Sequence, residues 1–156
     1  MTSHEIFSLT IAILGLITAF FSFIAAKNSA QSAKDSSIAA NLIDKGMLEM
    51  QIRTNINQAA NRRDDIMIRL NSDEQNEALV KVAESSIENW LNTYDEACGL
   101  YIDCKVDRTR FKKNYYTEII DLVEDTHFEN YFTPEYKSKY QKMLIVYKEW
   151  THLELN

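Results

Sequence analysis

Glycine and proline are nearly missing from this chain. Three glycines (Gly15, Gly46, Gly99) and one proline (Pro134) occur in 156 residues, so the punctuation that hairpins and sheet turns require is absent. With so little glycine, neither a phosphate-cradling loop nor a dinucleotide-binding turn can be written. Cysteine is scarce too. Cys98 and Cys104 are too few for a disulfide framework, and they lack the two-residue gap of structural zinc sites. They are expected to be thiols near a helix end in a reducing compartment, an oxidised pair staying open if the topology differs. His127 and His152 have no partner at ligand spacing, so no metal and no cofactor is expected.

Positive charge is short where a nucleic-acid binder would need it. Residues 1–70 carry seven Lys and Arg against six Asp and Glu, whereas residues 71–156 carry ten against seventeen. An acidic domain is a poor starting point for gripping a phosphate backbone, and no nucleic-acid partner is expected.

One long uncharged run stands out. From Ile6 to Ala26 there are 21 residues without a charge, enough to cross a bilayer as a helix. The short n-region, Met1 to Glu5, holds no Lys or Arg, and the apolar core is longer than that of a secretory signal. The run is therefore expected to stay in place as an anchor. Lys27, Lys34 and Lys45 follow it and only Glu5 precedes it, which predicts an outer N-terminus and a cytoplasmic C-terminal domain at the inner (plasma) membrane. Within the run, Ser8, Ala12, Gly15, Ala19, Ser22 and Ala26 occupy every position of one 4-3 register. Small residues in such a seam let helix backbones approach closely where lipid provides no hydrophobic drive, so the chain is expected to be a homo-oligomer.

Beyond the run, helix formers dominate and periodicity is helical, so the fold class is all-α. The expected organisation is a short tail (1–5), a transmembrane helix (6–26), a helical stalk (27–70) and a small three-helix bundle (71–156). Along the stalk, Ile43, Met47 and Met50 extend the seam in coiled-coil fashion, after which Thr54, Asn57, Asn61 and Asp64 make it polar. A second stripe, Ile52, Ile56, Ala59, Ile66 and Leu70, then takes over, and the change of face predicts a change of partner. Gly46 is a candidate flexure. Ser72 with Gln75 reads as a capping box. The helix after it carries an apolar face of Leu79, Ala83, Ile87, Trp90, Tyr94 and Ala97, with Glu77, Glu84, Glu88 and Asp95 opposite. Asp107 should cap a helix carrying Phe111, Tyr115, Ile119, Leu122 and Val123. Thr133-Pro134 should start the last one, which presents Tyr136, Tyr140, Met143, Tyr147 and Trp150.

Two clusters are candidates for binding. Lys105, Arg108, Arg110, Lys112 and Lys113 put five cations into nine residues of an acidic domain, several of them in a first helical turn that repels positive charge. A solvated patch accounts for them, and an anion site for lipid headgroups, a phosphorylated ligand or an acidic partner is the functional reading. Among the many aromatics, most of which fall on core faces, Tyr116, Tyr131 and Phe132 lie off-register or in a loop and could form a partner surface. Catalytic signals are weak: Cys98 with His127 is better read as a small buried thiol, and Glu84, Glu88, Glu118, Asp121 and Asp125 as solvated helix faces.

The stretches Asn61-Arg62-Arg63, Leu70-Asn71-Ser72-Asp73, Trp90 to Ala97, Asp103 to Asp107 and Tyr147-Lys148-Glu149-Trp150 give the chain a layout that resembles a family of bacterial single-pass membrane proteins with a helical cytoplasmic domain of unknown function. That family's pattern has an apolar-Asn-x-x-Glu segment and then a glycine-containing turn. Here Asp95 or Glu96 stands as the acid, and Cys104-Lys105 replaces the glycine. The resemblance implies a bacterial or phage origin and no catalytic activity. Two non-enzymatic readings follow. One is an anchored, self-associating adaptor or sensor that binds a protein or anionic ligand. The other is a membrane effector, for example in antiviral defence, whose helices open a pore lined by Ser8, Thr10, Thr18 and Ser22.

Overall fold

The structure, a computed structural model, describes the backbone of residues 3–72 and 76–152 and the side-chain surroundings of residues 15, 18–72 and 76–152. Every regular element among them is helical: α1 (Ser3–Ser72), α2 (Glu77–Ile102), α3 (Arg108–Glu124), a single turn α4 (Glu129–Phe132) and α5 (Gln141–His152), with 3-10 turns at Thr126–Phe128 and Glu135–Lys137. The chain divides into two compact units, residues 1–44 and 45–156.

In the first unit, α1 is one continuous helix whose described apolar side chains, among them Phe20, Phe21, Phe23, Ile38, Leu42 and Ile43, are exposed. Among the described residues, no helix is long and apolar enough to cross a membrane. Most of the uncharged run, residues 6–14, 16 and 17, lies outside the residues whose side chains are described.

The second unit has a core. Its α1 segment, 45–72, continues helical through Gly46 and buries Ile52, Ile56, Ala59 and Ile66, leaving Leu70 half-buried. These are the residues of the second stripe. On the other side of the same helix, Met47 and Met50 are 65% and 70% exposed. Against α1 lie α2 and α3, and α5 packs on both of them. The most deeply buried side chains are Leu91 and Cys98 from α2, Val106 from the turn, Phe111 and Ile119 from α3, and Tyr140, Met143, Val146 and Trp150 at and within α5.

Caps fix the ends. The Asn76 side chain accepts the Leu79 N–H at 3.1 Å, so Asn76, not Ser72, opens α2. Ser72 is instead the last residue of α1, its hydroxyl donating to the Ile68 carbonyl, a back-bond that short hydroxyl side chains readily make. At the other end, Cys104 takes a left-handed φ of 56°. The Lys105 N–H reaches the Leu100 carbonyl and the Cys104 N–H the Tyr101 carbonyl, the paired bonds of a Schellman ending. Asp107 caps α3 by accepting the Arg110 N–H at 2.9 Å, a bond that holds its carboxyl below the usual range.

Two expectations change. The last helix begins at Gln141, not at Thr133-Pro134, and Tyr136 is 79% exposed. Local hydrogen bonds hold the chain out of helix there: the Ser138 hydroxyl donates to the Tyr131 carbonyl and accepts the Tyr140 N–H, while the Gln141 amide donates to the carbonyls of Glu135 and Ser138. Asp95, placed by its charge on the solvent face of α2, is buried. One of its carboxylate oxygens accepts the N–H of Lys142 at 2.9 Å and of Met143 at 3.0 Å, so α5 receives its N-terminal cap from α2.

Asp95→Ala should therefore lower the unfolding free energy by about 2 kcal/mol, since it strips charge-assisted bonds from two helix-end donors. Glu96→Ala, at the exposed neighbour, should change it by less than about 0.5 kcal/mol. Urea titration of both variants checks this, and equal losses would contradict the capping role. Cys104→Gly should stabilise the fold by about 0.5–1 kcal/mol, because glycine adopts the left-handed conformation without steric cost.

Candidate functional site

The five cations do not converge on a common point. Arg108 donates to Glu149 of α5 at 2.6 Å and to the Tyr101 hydroxyl at 3.1 Å, with its guanidinium 4.4 Å from the Tyr101 ring centroid. Arg110 turns the other way and pairs with Glu49 of α1 at 3.0 Å. Lys112 lies over the rings of Tyr116 and Trp150. Lys105 and Lys113 are exposed. Positive charge in the first turn of α3 is thus offset by acids from two other helices, and the Asp107 N–H also donates to Glu49, at 3.2 Å. Exposed pairs of this kind contribute about 0–1 kcal/mol each. Their clearer effect is to orient α3.

Behind Arg108 lies a satisfied polar centre. The Tyr101 hydroxyl donates to Glu149 at 2.7 Å and accepts from both Arg108 and the Trp150 indole N–H, the latter at 3.0 Å. The Tyr101 ring packs edge-on to Trp150 and tilted against Phe111. Every partner in this group is used within the fold.

Nor do the three off-register aromatics form a recognition surface. Phe132 is 3% exposed and packs on Tyr140. Tyr131 is half-buried between Phe128 and Tyr140, and Tyr116 is half-buried and stacked on Trp150. The irregular segment between α3 and α5 carries its own apolar contacts into the core, which is why helical register could not place them. Of the small-residue seam, Gly15, Ala19, Ser22 and Ala26 are exposed along α1; Ser8 and Ala12 lie outside the residues whose side chains are described. The Thr18 hydroxyl donates to the Gly15 carbonyl at 2.9 Å.

A concave surface forms where the charge pattern gave no hint of it. Between α1 and α3, a groove of about 410 Å³ is lined by Arg53 and Asn57 of α1, Trp90 and Tyr94 of α2, and Asn114, Tyr115 and Glu118 of α3. A second hollow, about 250 Å³, shares Arg53, Asn114 and Tyr115 with it and extends past Glu49 and Arg110. Inside the first, the Tyr94 hydroxyl donates to Glu118 at 2.9 Å, and burial together with that carboxylate pushes its pKa far up. Burial also raises Tyr115, while the nearby Arg53 guanidinium pulls it back. Trp90 carries the Arg63 guanidinium over its ring at 3.7 Å and meets Tyr94 and Phe128 edge-on. Its buried indole N–H has no acceptor. The only sequence signal for this site was the i, i+4 spacing of Arg53 and Asn57 beside the buried stripe.

Cys98 is buried beside Asp95, and burial first, then that carboxylate, drives its thiol pKa far up, so no nucleophilic thiolate forms. His127 is exposed and sits 2.7 Å from the Asp125 carboxylate that also caps its turn. Among the described residues, no three His, Cys, Asp or Glu side chains come together in a way that could hold a metal ion. Comparison with protein-family models, curated proteins and solved structures finds no match.

The two cysteines are both free, one buried and one exposed. Iodoacetamide at pH 8 should accordingly modify one thiol in the native protein, at Cys104, and both after denaturation. Peptide mass analysis reads this directly, and native labelling of Cys98 would contradict the packing around α2.

Proposed function

We propose that this protein is a membrane-anchored, self-associating adaptor or sensor whose C-terminal helical domain binds a protein or an anionic ligand without catalysing a reaction. The observation that carries the reading is the division of α1 into two faces. Ile52, Ile56, Ala59 and Ile66 serve the chain's own core, whereas Ile43, Met47 and Met50 are left exposed in a single copy. Those three residues continue the 4-3 register of Ala19, Ser22, Ala26, Ser29, Ala33, Ser36 and Ala40. A helix from a second copy suits such a seam, because identical seams interdigitate in register. The uncharged run upstream and the lysines that follow it support an anchor in the bacterial inner membrane with the domain on the cytoplasmic side. The resemblance to single-pass bacterial proteins points the same way. The absence of a poised nucleophile or base among the described residues favours recognition over chemistry.

Disulfide trapping of the full chain in native membranes tests the seam. In a Cys104→Ser background, single cysteines at Ala19 and at Met47 should give covalent dimers on mild oxidation, and Gln31→Cys, off the register, should give at least fivefold less. Monomers at both seam positions would remove the self-association on which the reading stands.

A further inference from the structure

We propose that the trough between α2 and α5 is the docking site for a protein partner, taking an amphipathic helix whose apolar stripe is flanked by lysine or arginine. This rests on the partner-binding part of the function proposed above, names the chemistry of that partner, and is independent of anchoring and self-association.

The trough, about 510 Å³, is lined by Glu96, Gly99, Leu100 and Asp103 from α2 and its C-cap, and by Lys142 and Ile145 from α5. The four α2 positions stand at i, i+3, i+4 and i+7, so they share one face with the two carboxylates about 10 Å apart at its ends. Apolar surface lies between the acids: Ile145 is 52% exposed, Ile102 beside it 36%, and Leu100 is half-buried. The fold makes no use of this rim. Among the described residues, neither the Glu96 nor the Asp103 carboxylate has a hydrogen bond or an ion pair. The helix dipole opposes an acid at the C-terminal end of α2, and no basic residue in its last turn offsets it. The one lysine in the trough is committed elsewhere. Its Nζ lies 3.8 Å from Asp95, and its stem crosses Gly99, where a methyl group would come within 3.0 Å of the Lys142 Cδ.

Charge selects the occupant. Unpaired carboxylates at both ends of an apolar strip turn away phosphate and carboxylate groups. A second copy of the domain is opposed as well, because residues 71–156 carry ten Lys and Arg against seventeen Asp and Glu. Cations about two turns apart on a partner helix would meet Glu96 and Asp103, while the apolar residues between them cover Leu100 and Ile145. Exposed ion pairs add little affinity by themselves, but they decide partner and orientation. The affinity comes from taking Ile145, Ile102 and Leu100 out of water.

Two dye-labelled helical peptides test this, one repeating Lys-Ala-Ala-Leu-Leu-Ala-Ala and the other with Glu in place of each Lys. Fluorescence anisotropy is read on the full chain in nanodiscs of zwitterionic lipid, with empty nanodiscs as the reference. The lysine peptide should bind about tenfold tighter than the glutamate peptide. Ile145→Ser should weaken it about fivefold, and Glu96→Lys combined with Asp103→Lys should reverse the preference. All three positions are exposed, so circular dichroism should show each variant as helical as the parent. Equal binding of the two peptides, no binding of the lysine peptide above empty nanodiscs, or a preference that survives the charge reversal would overturn the docking site. Ile145→Cys in the Cys104→Ser background giving as much covalent dimer as Met47→Cys would assign the trough to a second copy and overturn it too. Each of those failures leaves trapping at Ala19 and Met47 untouched, so loss of the trough and loss of the seam are told apart.

Discussion

The fold of the C-terminal unit depends on one carboxylate. Helix α5 begins after a segment whose hydrogen bonds are local and non-helical, and it has no side chain of its own to accept its first N–H groups. Met143 is fully buried, so its N–H cannot turn to water and would be left unpaired at a cost of about 1–3 kcal/mol. Asp95 supplies the acceptor from α2 and adds a negative charge at the positive end of α5. Once α5 is seated, Val146 and Trp150 reach the core, the Trp150 indole reaches Tyr101, and Glu149 reaches Arg108. The ring cluster of Tyr101, Phe111 and Trp150 is thus downstream of a polar contact some distance from it.

The α1 segment 45–72 has a different kind of economy. Three of its buried residues, Ile52, Ala59 and Ile66, lie seven apart, which keeps one face of the helix toward α2 and α3. The polar residues between them are not idle: Glu49 steadies the start of α3 and Arg63 covers Trp90. Charged side chains of α1 therefore set its register against the domain as much as its apolar ones do. Two of the cations that look like a single patch along the chain, Arg108 and Arg110, are drawn apart in the same way, each by an acid on a different helix.

Much of this was legible in the sequence. The near absence of glycine and proline excluded sheets, the 3.6-residue period located α2 and α3, and the stripe from Ile52 to Leu70 was read as a face with a partner of its own. What failed did so for specific reasons. Asp95 was assigned by charge, although Leu91, Asp95 and Cys98 stand at i, i+4 and i+7 and share a face; α2 is covered on two sides, so its buried arc is wider than a single stripe. Thr133-Pro134 carried a helix-start signature, but the bonds of Ser138 and Gln141 outweighed it. Phe132 and Tyr131 fell in a segment without period, where only tertiary contacts determine burial. The Arg53–Trp90 groove draws on three helices separated in sequence, and no local pattern encodes that meeting. Cys104, with Lys105, was singled out as the substitute for a glycine in the turn, and Cys104 takes a positive φ.

Chain order has a consequence for biogenesis. The element that closes the core, α5, is the last of the five to leave the ribosome. Until it does, α2 and α3 emerge with the sides that will hold Val146 and Trp150 uncovered, and Asp95 has no helix end to accept. Until α5 emerges, the nascent polypeptide passes through an interval in which its greasiest surfaces are open to chaperones or to neighbouring chains.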